Sequence, residues 1–254
     1  MASTNPGGHM DEHASHWSPP AHARALTAAQ SSPARWIAAV FLLQGFIGPV
    51  INFSLLAPAL SAPPGFLENA ALHARDVQLA TLLMLVGTAC SVGVGLALWS
   101  ISPPSSRALA VTYLVLAMLA FAASILEGTA IRGMLALSRA FHDSAGADVR
   151  VFEPVRVTLQ ALRLNAHYTV LLLSGIGFVA LYRCVRRLGW IPRVLAIAGV
   201  IAAVVSVGAA LWPLLGGPTV FELFIPLGLC QLALVAWLFV APAARVVPPR
   251  ELYA

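Results

Sequence analysis

Glu127 and Arg132, in ILEGTAIRG (residues 125–133), are charges inside a long apolar run, and a later run carries Arg156, Gln160, Arg163 and His167. Carboxyl and imidazole groups in an apolar wall can exchange protons with a bound substrate. Glu127 and His167 are therefore candidate acid–base residues, with Glu222 as a further catalytic carboxyl. The guanidinium groups of Arg132 and Arg163 suit a different task, holding an anionic head group through charge-assisted hydrogen bonds. Arg156, Gln160, Arg163 and His167 recur at spacings of four, three and four, so they share one helical face, which Ser174 continues seven residues on. Glu127 and Arg132 lie five apart, about 140° around a helix, where i+3 or i+4 favours pairing. Arg163 is thus the expected partner of Glu127.

The elements that carry these residues belong to a membrane. The chain of 254 residues is 59% hydrophobic and only 10% charged, too little polar surface for a domain in water. After a polar tail expected to be disordered over 1–34, six apolar runs reach the roughly 20 residues needed to cross about 30 Å of hydrocarbon. They fall near 36–60, 78–100, 107–140, 157–186, 193–214 and 220–243. Barrel strands would be half as long and alternate in polarity, so the expectation is an all-α bundle of six transmembrane helices over 35–245, with a short tail over 246–254.

All 15 basic residues are arginine. They stand at the ends of apolar runs rather than in a basic stripe, which argues for topology signals and against a nucleic-acid partner. One side holds nine (Arg24, Arg35, Arg107, Arg183, Arg186, Arg187, Arg193, Arg245, Arg250) and the other four (Arg75, Arg139, Arg150, Arg156). Both termini are accordingly expected to be cytoplasmic, in a bacterial inner membrane suggested by the Ala-, Leu- and Val-rich, arginine-only composition. Cys90, Cys184 and Cys230 show no CxxC spacing and suit packing. The histidines of the tail lack a scaffold for metal, so no metal is expected.

Depth follows from about 1.5 Å of rise per helical residue. Counting from the inner surface, Glu127 lies roughly 28 Å up the third helix, and Arg163 and His167 lie roughly 28 and 22 Å up the fourth. Asn52 on the first helix, Glu68 and Asn69 before the second, and Glu222 at the start of the sixth reach the same outer level. With Asn165 and Tyr168 beside the histidine, these residues form the candidate ligand-binding set: Arg163, Arg132, Asn52, Asn165, Tyr168, Glu68 and Asn69.

The stretch NAHYTVLLLSGIGFVALYRCVRRLGWIPRVLAIAGVIA (165–202), with RWIAAVFLLQGFIGPVINFSLL at the first helix, resembles the bacterial membrane proteins grouped as domain of unknown function 4386. The likeness covers roughly 35–243. It implies a multi-helix integral membrane protein without an assigned activity. Where that family suggests an acidic residue after the histidine, this chain has Tyr168.

Three functions are compatible with these residues. The first is binding of a lipid-like or anionic amphiphilic ligand in an outer-facing pocket, with membrane lipid as surroundings. The second is an intramembrane isomerase or cyclase using Glu127, His167 and Glu222. The third is a structural network whose protein acts through a protein partner or as an oligomer. Haem would need a second axial ligand opposite His167, and His73 and His142 lie in outer segments, so no cofactor is expected. The chain has no HExxH, nucleophile elbow or Gly-rich phosphate loop.

Overall fold

A computed structural model describes residues 21–144 and 148–240. Among these there is no strand. The elements are α1 (Ala21–Pro49), a π-helical continuation (Val50–Ser61), α2 (Phe66–Leu72), α3 (Ala74–Ile101), α4 (Pro104–Asp143), α5 (Val149–Arg187), α6 (Arg193–Leu214), a short 3-10 turn (Phe221–Phe224) and α7 (Ile225–Val240). Six of the helical stretches are long and apolar enough to cross a membrane, and they match the six expected runs.

Three differences from expectation have physical causes. Helix α1 begins at Ala21, inside the stretch expected to be disordered, because the alanine-rich AHARALTAAQ has high helix propensity. The rest of that tail, its metal-binding candidates His9, His13 and His16, and the 246–254 tail lie outside the described residues. From Val50 the first spanning helix widens into π geometry, which departs from the α-helical rise assumed in placing Asn52. The connection before α3 folds into the short helix α2, entered through Gly65 at φ 132°, a conformation that L side chains rarely adopt.

Each spanning helix packs against the next in chain order, and α7 closes against α1, so the six form a ring. The most extensive contact is between α4 and α5. Pro103 and Pro104 open α4, and Asp148 caps α5 by accepting from the backbone N–H of Arg150 at 3.0 Å. At the end of the bundle that holds the α5–α6 turn, called inner here and the opposite end outer, RRLGWIPR turns through Gly189 at φ 74°. Trp237 Nε1 on α7 donates to the Trp190 carbonyl at 3.0 Å, and Arg187 donates to the Ser105 carbonyl at 2.7 Å. Pro192, in extended conformation, is the residue before α6.

Buried apolar residues form two clusters. The inner one draws on all six spanning helices, from Ile37 and Phe41 of α1 through Leu98, Tyr113, Tyr182 and Ala203 to Leu234 and Leu238 of α7. The outer one is built from the π-helical segment, α2, α3 and α4, including Leu56, Phe66, Val77, Ile131 and Met134. Its only neighbour from α5 is the half-buried Leu159, and α6 and α7 add nothing to it among the described residues.

Candidate functional site

Helices α4 and α5 run about 60 Å each at 1.5 Å per residue, twice the hydrocarbon thickness, so their outer halves extend past the level where α6 and α7 end. On the facing stripes of this pair stand Glu127 and His167. Glu127 is only 3% exposed. Its Oε1 lies 2.9 Å from Nδ1 of His167, whose side chain is one-quarter exposed. Gly128 lets α3 approach beside the carboxylate, since a Cβ there would stand 3.0 Å from the Thr81 methyl. When the carboxylate is ionised it can only accept, so Nδ1 is the donor of this bond, and a neutral imidazole then carries its lone pair on Nε2. Among the described residues Nε2 has no side-chain partner.

The expected Glu127–Arg163 pair is not formed. No oxygen of Glu127 comes within 4 Å of the guanidinium, and the carboxylate is held by His167 instead. The imidazole lies seven residues above Ser174 on the same stripe, directly opposite Glu127, while Arg163 sits a further turn outward on α5. Arg163 remains within electrostatic range of the Glu127 carboxylate. Its Nε is buried and makes no hydrogen bond among the described residues. The same is true of Ser124 Oγ, one turn below Glu127 on α4.

Tyr168, buried and edge-on to the His167 ring at 5.6 Å, bonds through its hydroxyl to Thr219 in the α6–α7 connection. This tie between the site and the outer loop has no signal in the sequence, since Thr219 lies 51 residues away in an unremarkable GGPTV.

The other expected residues do not join this group. Arg132 is exposed and folds back on its own helix, donating to the Gly128 carbonyl at 3.3 Å and approaching Thr129 at 3.5 Å. The five-residue offset from Glu127 turns it away, as helical geometry demands. Asn52, carried outward by the π-helical turn, donates to the Gly48 carbonyl at 3.0 Å. Asn69 donates to the Ala62 carbonyl at 2.8 Å and so closes the turn into α2, while the backbone carbonyl of Glu68 meets Nε2 of His142 at 2.9 Å. The Glu68 side chain itself is exposed, as are those of Asn165 and Glu222. These residues share the outer level but not one pocket.

A second polar group lies deeper, towards the midplane. Gln44 Nε2 donates to the Gly87 carbonyl at 2.6 Å and to Ser91 Oγ at 2.8 Å, tying α1 to α3. Thr88, Ser91, Tyr113 and Ser174, with Ala117, Ala120, Leu173, Gly177 and Phe178, enclose a cavity of about 30 Å³. Ser91 is also a hydrogen-bonding neighbour of the Tyr113 hydroxyl.

The fold and this buried carboxylate–imidazole pair define an all-helical, six-span membrane protein. Among the described residues no group of three or more His, Cys, Asp and Glu is placed to hold a metal. The family model described as Domain of unknown function (DUF4386) matches residues 37–241, and the chain belongs to that family. No curated protein and no solved structure matches it.

Proposed function

We propose that the protein binds an anionic amphiphile in the outer half of its helix bundle, with Arg163 as the cation for the head group. The observation that carries this reading is the buried Nε of Arg163, which lacks an acceptor while the neighbouring carboxylate is already taken by His167. A charge inside a membrane helix costs about 2.5 to 3.5 kcal/mol at the centre on insertion scales and less towards the interface, and such charges mark functional sites. Glu127 and Arg163 balance with a neutral imidazole. A protonated His167 would leave the group at net +1, and a bound anion would then bring it to neutrality. The arginine asymmetry of nine against four supports cytoplasmic termini, which would turn the site towards the outer leaflet of a bacterial inner membrane.

Native mass spectrometry of the protein purified in neutral detergent tests this. The expected result is a stoichiometric anionic species on the wild type that is lost from Arg163→Ala at equal folded yield. An apo mass for both proteins would contradict it.

One observation favours chemistry as a second reading. Glu127 fixes Nδ1 of His167 at 2.9 Å, and the imidazole is partly exposed with Nε2 unengaged, the arrangement of an oriented general base. Under that reading Glu127→Gln retains the ligand but stops its conversion, because the imidazole loses the acceptor that sets its tautomer. Ligand extracted unchanged in mass and structure from both wild type and variant would exclude it.

A further inference from the structure

Three ionisable side chains stand together at the α4–α5 contact, and their charges can be counted. Ionised Glu127 carries −1, Arg163 carries +1, and His167 is either neutral or +1. Glu127 Oε1 and His167 Nδ1 are joined at 2.9 Å. Arg163 stands four residues from His167 on α5, the spacing that makes two side chains neighbours on one helix face, and within range of the Glu127 charge.

The other charges around this group are paired, turned away or distant. On α4, Arg132 folds back onto the Gly128 carbonyl. Further out on α5, Arg156 is held by Glu153 at 2.6 Å. The charged residues of α3, Arg75 and Asp76, lie in its first turn, where Asp76 meets His73 at 3.3 Å. Glu68 on α2 is exposed, and α6 has one charged residue, Arg193, at its inner start. The α6–α7 connection offers Thr219 to Tyr168, while Glu222 beyond it is exposed, and Cys230 of α7 packs against the inner cluster.

With a neutral imidazole the three charges sum to zero. A monoanion held by Arg163 then leaves −1 beside a carboxylate that is only 3% exposed, and uncompensated charge is costly inside a bundle surrounded by lipid. One proton on the imidazole returns the sum to zero. Nε2 is the atom that takes it, because Nδ1 already donates to Glu127 and Nε2 has no side-chain partner among the described residues.

We infer that the site takes up its anion together with one proton, the anion on Arg163 and the proton on His167 Nε2. The ligand class is an amphiphile whose head carries a single negative charge in the complex, and binding is electroneutral, equivalent to accepting a neutral acid. Glu127 sets this coupling by holding the resting charge at zero; without it the arginine alone balances a monoanion at any pH. The inference rests on the head-group reading of Arg163.

The test measures binding of 1-decanesulfonate, whose charge does not change between about pH 6 and 9, to the full-length protein in neutral detergent. Wild type is compared with Arg163→Ala, Glu127→Gln and His167→Gln. Wild-type affinity is expected to fall as pH rises, by up to about tenfold per pH unit, the limiting slope for one linked proton. The two partners of the pair then separate in opposite directions. Glu127→Gln keeps the tight low-pH affinity up to pH 9, whereas His167→Gln shows the weak high-pH affinity throughout. Arg163→Ala binds little at any pH. Calorimetry of the wild type in HEPES and in Tris counts the proton directly and decides the matter where a variant folds poorly. Close to one proton taken from buffer per anion is expected at the pH where the affinity slope is steepest.

Binding that depends on Arg163 but has the same affinity across this pH range, without proton uptake, overturns the coupling and leaves the head-group reading intact. So does a pH slope that persists unchanged in Glu127→Gln and His167→Gln. No binding, or binding that ignores Arg163→Ala, overturns both.

Discussion

The inner and outer halves of this bundle solve the membrane problem in opposite ways. In the inner half all six spanning helices share one apolar cluster, and glycines stand where helices touch. A Cβ on Gly199 would fall 2.3 Å from the Tyr182 ring, and one on Gly95 would fall 2.9 Å from Leu114 Cα. From the midplane outward, Gly45, Gly48 and Gly87 meet nothing within 4 Å, although Gly128 and Gly133 still mark close approaches to Thr81 and Leu159, and the outer cluster is built without α6 and α7 among the described residues. The same half holds the buried carboxylate, the imidazole and the unpartnered guanidinium. Packing without lipid-like driving force depends on close contact and satisfied polar groups. The inner half meets that requirement with little exception, its one unpartnered buried side-chain group among the described residues being the Tyr182 hydroxyl. The outer half meets it less well, and the difference teaches that stability resides mainly inside while the capacity to recognise a ligand resides outside.

This contrast can be broken or sharpened by substitution. The largest effect is expected from Gly199→Ala, which forces the Tyr182 ring or α6 to move and should destabilise the protein by about 1 to 3 kcal/mol, as overpacking does in other cores. Thermal unfolding in detergent would show it, with anion affinity per folded molecule unchanged. A smaller effect of opposite sign is expected from Arg163→Met. Exchanging a half-buried guanidinium whose buried Nε has no acceptor among the described residues for an apolar chain of similar length should stabilise the ligand-free protein by about 1 to 2 kcal/mol. Were Arg163→Met to destabilise the apo protein instead, the guanidinium would be a packing element and the two halves would be alike.

Much of this architecture was legible in the sequence, because a 20-residue apolar run in lipid has few alternatives to a helix. Six spans and a shared level for Glu127 and His167 follow from hydropathy and helical rise. Family resemblance agreed with the match over residues 37–241. The site was legible only in part. Depth placed polar residues at one level but said nothing of their azimuth, so Arg132, Asn52, Glu68, Asn69, Asn165 and Glu222 were grouped with residues they do not meet. Pairing went astray because helix periodicity gives each stripe its face but not the relative shift of α4 against α5, and that shift sets His167 rather than Arg163 opposite Glu127. The π-helical widening at Val50 departs from the rise that placed Asn52. Ser124, Thr88 and Thr219 carried no signal at all, being ordinary small polar residues whose meaning comes only from what surrounds them.

The most direct measurement is the thermal unfolding midpoint of wild type and Arg163→Met in neutral detergent, each with and without dodecyl phosphate. A ligand at a hundred times its Kd stabilises the folded state by about 2.7 kcal/mol. The expected result is a large rise in the wild-type midpoint with the anion and none in Arg163→Met, which starts from the higher apo value. Equal rises in the two proteins would contradict the claim that the half-buried guanidinium at Arg163 is the anion site.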